Sequence, residues 1–172
     1  MDATIRRVSA SSNWKKLDTI MLIPAGGSIP TKVAMALWNV YAPPNNSFYR
    51  MACVGMEVGE AFSTAIENIL AHPQLSRYKY LWTVEHDNLP QPDALVKLLA
   101  QMEAHPEFAG IGACYFTKGT DGVCQAWGDP RDPQTNFRPQ IPIPNALQEV
   151  CGTGMGCNVW RLDMFKDPKL RR

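Results

Sequence analysis

Three ionisable side chains follow an apolar run at residues 80–84 without a break: those of Glu85, His86 and Asp87. Charges are costly to bury, so their position at the end of a buried strand indicates a site. Two carboxylates separated by one residue can reach the same divalent cation where the backbone turns. Mg²⁺ and Mn²⁺ prefer oxygen ligands and take few of them from protein when phosphate groups supply the rest. The pattern therefore predicts metal and phosphate binding at Glu85 and Asp87, with His86 as a further contact.

The segments around this run alternate between strand and helix patterns. Apolar runs rich in β-forming residues predict strands at 18–24, 47–55, 78–84 and 108–116. Between them, helical spacing and proline or aspartate near the starts predict helices at 30–42, 58–72 and 91–105. This order predicts an α/β fold, a three-layer sandwich with a mostly parallel central sheet. Such sheets bind ligands beyond the carboxyl ends of their strands, which is where Glu85 and Asp87 are expected.

A single domain accounts for most of the chain. Its 172 residues are enough for one hydrophobic core. Residues 1–17 have the composition of a polar lead-in, and the domain is expected over 18–172. Within it, the segment 117–147 is rich in proline, glycine and polar residues. A long segment of this kind is typical of a functional loop, and we expect it to act as a lid over a bound ligand.

The composition excludes several other classes of protein. Hydrophobic residues make up 45% and charged residues 19% of the chain, and the net charge is +1 at pH 7. Nothing in this balance favours binding to nucleic acid or to a membrane surface. No apolar stretch reaches the roughly 20 residues that a membrane span needs, and we expect a cytoplasmic protein. Self-association into a homo-oligomer stays open.

Two stretches carry a resemblance to a known family. The first, "YLWTVEHDNLPQPDAL" at 80–95, resembles the signature of GT-A glycosyltransferases, notably the family 2-like enzymes. In that family an apolar strand runs into an Asp-x-Asp motif, and residues of the "PDAL" type open the next helix. The second, "CGTGMGCNVWRLDMF" at 151–165, is similar to the family's glycine-rich segment. The motif at 85–87 departs from the family only at its first position, where Glu85 stands.

The resemblance implies a metal-dependent glycosyltransferase that moves a sugar from a nucleoside-diphosphate sugar, first of all a UDP-sugar, to an acceptor hydroxyl with inversion. It implies Mn²⁺ or Mg²⁺ on Asp87, supported by Glu85. The family's acidic residue after the second strand is displaced here, leaving Glu57 or Glu60 as the candidate. The residues implied to contact the donor are Pro24, Ala25, Gly26, Glu57, Glu85, His86 and Asp87.

The acceptor side of the site is implied less directly. The transferred sugar or the acceptor is expected against Trp127, Gly154, Met155 and Gly156. The family's pair of catalytic acids, which follows the glycine-rich segment, has no match here. Asp163 is therefore the expected base, and the remaining candidates are Asp121, Asp129 and Asp132.

Two alternatives stay open. A nucleotidyltransferase would use the same metal chemistry, but it needs a glycine-rich and basic phosphate loop after the first strand. In this chain the stretch "PAGGSIPTK" offers only Lys32. A truncated or degenerate domain would bind a nucleotide without transferring a sugar. The missing acidic pair favours that reading, whereas the acidic strand end favours an enzyme.

Overall fold

A computed structural model describes residues 17–119, 121–132, 134 and 137–170, so the expected lead-in lies almost wholly outside the described residues. The described chain is a mixed α/β structure. In chain order its strands and helices are β1 (Thr19–Ala25), α1 (Thr31–Trp38), β2 (Phe48–Val54), α2 (Val58–Ala71), β3 (Tyr80–Val84), α3 (Ala94–Ala104), β4 (Gly110–Gly112), β5 (Ala126–Trp127), β6 (Gly152–Thr153) and β7 (Cys157–Arg161). Short 3₁₀ turns at 75–77, 162–166 and 168–170 complete the assignment.

The central sheet has five strands in the order β2-β1-β3-β7-β4. β1 pairs in parallel with β2 and with β3, whereas β7 is antiparallel to both of its neighbours, β3 and β4. β4 therefore runs in the same direction as β1, β2 and β3. The prediction of a mostly parallel central sheet is confirmed.

Helices cover both faces of this sheet, because the side chains of the central strands alternate between two apolar clusters. Met21 and Trp82 face one cluster, which is completed by α1 and α3. Ile20 and Leu81 face the other, which is completed by α2. Every residue of β1 and of β3 is buried. The two central strands are thus fixed on both sides, and so are the points at which they end.

Two elements are shorter than the sequence predicts. α1 ends at Trp38, because the next residues leave the helix and the amide of Tyr41 donates to the carbonyl of Pro92 at 2.8 Å. β4 ends at Gly112, because the chain beyond it folds back on itself. There the amide of Gln125 donates to the carbonyl of Tyr115 at 2.9 Å.

In the described part of the chain, no helix is both long enough and apolar enough to cross a membrane.

Candidate functional site

A cavity of about 300 Å³ opens at the carboxyl ends of β1 and β3. Its lining comes from three separate stretches of the chain: Pro24, Ala25, Gly26, Met56, Val58, Glu85, His86 and Asp87. The structure therefore brings the acidic strand end together with the residues that follow β1. This acidic cavity, as it is called below, contains six of the seven residues expected to contact a donor.

The turn after β3 holds Glu85 at the wall of the acidic cavity. Its backbone amide donates to the carbonyl of Gly156 at 3.1 Å, and its carbonyl accepts from the amide of Asn88 at 3.1 Å. Burial, together with the negative charge of Asp87, raises the pKa of the Glu85 carboxyl above its ordinary value. Two carboxylates in such proximity favour a cation between them.

A cation already contacts the second carboxylate. The ammonium of Lys118 lies 3.0 Å from Oδ2 of Asp87, and the two side chains are 79% and 42% exposed. Lys118 belongs to the fold-back that follows β4, far from Asp87 in the sequence. It is not among the residues expected to contact the donor.

Tyr115 connects the same fold-back to the glycine-rich segment. Its hydroxyl accepts from the amide of Gly156 at 2.9 Å. A Cβ atom on Gly156 would lie 2.5 Å from the Tyr115 ring, and one on Gly154 would collide with the Tyr115 hydroxyl. Burial raises the pKa of Tyr115, and the nearby charges of Glu85 and Asp87 raise it further. The side chain therefore packs against the two glycines and lies close enough to Glu85 and Asp87 to be affected by their charges.

The direction of β4 accounts for the position of Tyr115 and Lys118, and the sequence carries one signal for them. β4 is parallel to β1 and β3, so the chain leaves it at the edge of the sheet that carries the acidic cavity. The rule that sites form beyond the carboxyl ends of parallel strands applies to this strand as well. The stretch "CYFTKG" at 114–119 is the signal, and the expected strand at 108–116 concealed it.

Three expected contact residues have other neighbours in the structure. Oε2 of Glu57 caps α2 by accepting from the amides of Gly59 and Glu60, at 2.8 and 3.3 Å. Met155 packs against the apolar cluster on the α2 face. Trp127 pairs with Gly152 in the small sheet of β5 and β6. None of the three is among the residues that line the acidic cavity.

The structure places Asp163 far from the acidic cavity. Because β7 is antiparallel to β3, its last residue, Arg161, pairs with Tyr80, the first residue of β3. Asp163 follows in the 3₁₀ turn Leu162–Lys166, beyond the amino end of β3. A strand of five residues spans about 16 Å, so that distance separates Asp163 from the end that carries Asp87. Asp163 thus lies outside the acidic cavity, and its role as the base stays a prediction.

The other three candidate bases, Asp121, Asp129 and Asp132, differ in the contacts that their side chains make. Hydrogen bonds from Arg131 lower the pKa of Asp129 to about 2, which makes its carboxylate a weak proton acceptor. Oδ1 of Asp132 accepts from the amide of Gln134 at 3.0 Å. Asp121 is exposed on the fold-back that also carries Lys118. None of these aspartates lines the acidic cavity.

The acidic cavity suits a metal that is shared with phosphate groups. Within the described ranges, no group of three or more His, Cys, Asp and Glu side chains is placed to hold a metal ion by protein ligands alone. Glu85 and Asp87 offer carboxylate oxygens, and Asp87 already binds one positive charge in the ammonium of Lys118. A magnesium or manganese ion bound here would need further ligand oxygens from water or from a phosphate group.

A second cavity, of about 790 Å³, lies along β4. The chain that follows β5 forms its other wall, and the lining is mostly apolar, including Phe108, Ile111, Pro142, Ile143, Leu147 and Val150. It extends to Cys114, the residue before Tyr115. An apolar groove of this size, next to a polar site, has the dimensions of a small-molecule binding site.

An α/β domain with its ligand cavity at the carboxyl edge of the sheet is the class that the fold and the site define. A scan against family models finds no match for the chain, and a search of the curated proteins finds none either. Solved structures do match, among them the one described as "Crystal Structure of A197 from STIV". That structure aligns with a TM-score of 0.60 and 16% identity, over 87% of this chain and 68% of its own. At this identity the likeness shows the fold alone.

Proposed function

We propose that this chain is a metal-dependent glycosyltransferase of the GT-A kind. It moves a sugar from a nucleoside-diphosphate sugar, first of all a UDP-sugar, to an acceptor hydroxyl with inversion. The observation that carries the proposal is the meeting of Glu85, His86 and Asp87 with Pro24–Gly26 around one cavity. Open α/β sheets bind nucleotides at this edge.

Each wall of the acidic cavity has a role in donor binding. Pro24, Ala25 and Gly26 line the side where the base and ribose are expected, while Met56 adds apolar surface. Asp87, supported by Glu85, holds Mn²⁺ or Mg²⁺ together with the diphosphate. When bound, such an ion offsets the charge of the leaving diphosphate.

The acceptor is expected in the cavity along β4. That cavity extends to Cys114, and the hydroxyl of the next residue, Tyr115, is bonded to the amide of Gly156, whose carbonyl accepts from the amide of Glu85. Its apolar lining favours an acceptor with an apolar part beside the reacting hydroxyl.

Calorimetry with UDP and Mn²⁺ tests the donor half of the proposal. Asp87→Asn should abolish metal-dependent UDP binding without changing the thermal midpoint by more than a few degrees, because Asp87 is partly exposed. Asp163→Asn is the matched control, since it is exposed at the other end of the sheet and should bind UDP like the unmodified protein. Equal UDP affinity in Asp87→Asn and the unmodified protein would contradict the proposal.

A nucleotide-binding domain without transfer activity is the second candidate. The position of Asp163 favours it, because the expected base is far from the acidic cavity. A panel of UDP-sugars with Mn²⁺, followed by detection of released UDP, separates the two functions. Binding without any release or transfer, across the panel and several acceptors, would decide for the second candidate.

A further inference from the structure

We propose that Lys118 has two successive roles at Asp87. In the free protein its ammonium takes the place of the metal ion, and after metal binding the same ammonium binds the diphosphate of the donor. The inference deepens the proposed function and rests on it. It adds a residue for donor recognition that the resemblance to glycosyltransferases does not imply.

The backbone on either side holds Lys118 near the acidic cavity. Immediately before it, the amide of Thr117 donates to the carbonyl of Val123 at 3.0 Å. In return, the amide of Val123 donates to Oγ1 of Thr117 at 2.8 Å. These two bonds close the fold-back at the residue next to Lys118. The Lys118 side chain that pairs with Asp87 therefore starts from a backbone held by hydrogen bonds.

Tyr115 fixes the same fold-back to the acidic strand end. Its hydroxyl is bonded to the amide of Gly156, whose carbonyl accepts from the amide of Glu85. Two hydrogen bonds thus connect the side chain of Tyr115, three residues before Lys118, to the backbone of Glu85 through Gly156. The position of Lys118 relative to the two carboxylates is set by this connection.

The charges of the acidic cavity explain why a cation is needed there. Glu85 and Asp87 are both acidic, and His86 is the neighbouring basic side chain. Across the described ranges, Lys118 is the one lysine or arginine that forms an ion pair with either carboxylate. The ammonium offsets part of the repulsion between the carboxylates while no metal is bound.

The same ion pair is weak enough to be displaced. Both partners are substantially exposed, and exposed pairs contribute little to stability. A divalent ion brings twice the charge, so it can take the Asp87 oxygen from the ammonium. The released Lys118 has a flexible stem and a compact charge, which suit a phosphate oxygen close to the metal.

The test compares Lys118→Met with the unmodified protein in two titrations. Methionine keeps an unbranched side chain and removes the charge. Without its competitor, Mn²⁺ alone should bind several-fold more tightly to the variant. With saturating Mn²⁺, UDP should bind about tenfold more weakly, because a charge-assisted contact to phosphate is lost. Effects of opposite sign cannot arise from general misfolding.

Two further variants sharpen the test. Lys166→Met removes an exposed lysine that pairs with Asp163 at the other end of the sheet, and it should leave both titrations unchanged. Lys118→Arg keeps the charge and should restore most of the UDP affinity. If the unmodified protein binds UDP with Mn²⁺ and Lys118→Met does so equally well, the inference is overturned while the proposed function stands.

Other outcomes count against specific parts. Weaker binding of Mn²⁺ alone to Lys118→Met would overturn the first role, because a competitor cannot assist the metal. If the unmodified protein does not bind UDP with Mn²⁺, the proposed function fails and the inference fails with it.

Discussion

The acidic cavity has two walls of different construction. The first consists of the ends of β1 and β3, strands in which every residue is buried. The second consists of Tyr115 and Lys118, which are not among the lining residues but contact Gly156 and Asp87 beside them, through one hydrogen bond and one exposed ion pair. The first wall is formed by the ends of buried core strands, so it exists without a ligand. In the second, the backbone is held by hydrogen bonds but the Lys118 side chain is exposed, so a ligand can displace that side chain at low cost.

The largest expected effect tests the rigidity of the first wall. Trp82 lies in β3 and is fully buried. Trp82→Ala should lower the free energy of unfolding by about 3–5 kcal/mol, because it leaves a large cavity in the core. Urea unfolding followed by circular dichroism measures this. The control, Phe137→Ala in the exposed segment, should change stability by less than about 0.5 kcal/mol. Similar losses of stability in both variants would contradict the rigidity of the first wall.

An intermediate effect is expected where the second wall meets the glycine-rich segment. The new Cβ of Gly156→Ala would lie 2.5 Å from both the ring of Tyr115 and the side-chain amide of Asn88. The variant should lose about 1–3 kcal/mol of stability, since either neighbour must move. Its UDP affinity should fall as well.

The control for that substitution is Gly152→Ala. A Cβ at Gly152 meets no described atom within 4 Å, so the free energy of unfolding should stay unchanged. If Gly156→Ala were as stable as Gly152→Ala and kept its UDP affinity, Tyr115 would not form part of the second wall.

The smallest expected effect is the contribution of Glu85 to the pH dependence of the free energy of unfolding. Because the pKa of Glu85 is raised in the folded protein, the folded state binds more protons than the unfolded state above the ordinary pKa. The stability that protonated Glu85 contributes is therefore present below the ordinary pKa and is lost as pH rises through the raised value. Glu85→Gln should flatten this dependence in urea unfolding measured at several pH values. Glu60→Gln, on the exposed surface of α2, should leave it unchanged.

The affinity for Mn²⁺ should rise with pH, whereas the contribution of Glu85 to the free energy of unfolding falls. Mn²⁺ binds the ionised carboxylate, so its affinity should rise with pH through the raised pKa of Glu85. A metal affinity that is independent of pH over this window would show that Glu85 does not support the metal.

Much of the first wall could be predicted from local patterns. The run at 80–84 has the composition of a buried strand, and the parallel sheet follows from the alternation of elements. Together these place Glu85 and Asp87 at the carboxyl edge. The three main helices also follow from apolar spacing, although α1 ends earlier than expected because the backbone at Tyr41 bonds to Pro92.

The other features of the site depend on contacts between distant parts of the chain, which local sequence patterns do not report. The insertion of β7 between β3 and β4, in the opposite direction, carries Asp163 to the end of the sheet opposite Asp87. No local pattern reports the direction of a strand. The contact of Lys118 with Asp87 likewise depends on where the fold-back after β4 lies. That residues 117–147 close over a bound donor stays a prediction.

One hydrogen bond between the end of β4 and the start of β7 bears on how far the sequence of this domain can change. The amide of Ala113, just after β4, donates to the carbonyl of Cys157, the first residue of β7, at 2.9 Å. The chain between them thus leaves and re-enters the sheet at neighbouring points. Lengthening such a closed segment costs little, roughly 0.6 kcal/mol for each doubling. The sequence between Ala113 and Cys157 can therefore diverge or be exchanged at little cost while the β3 end that carries Glu85 and Asp87 is kept.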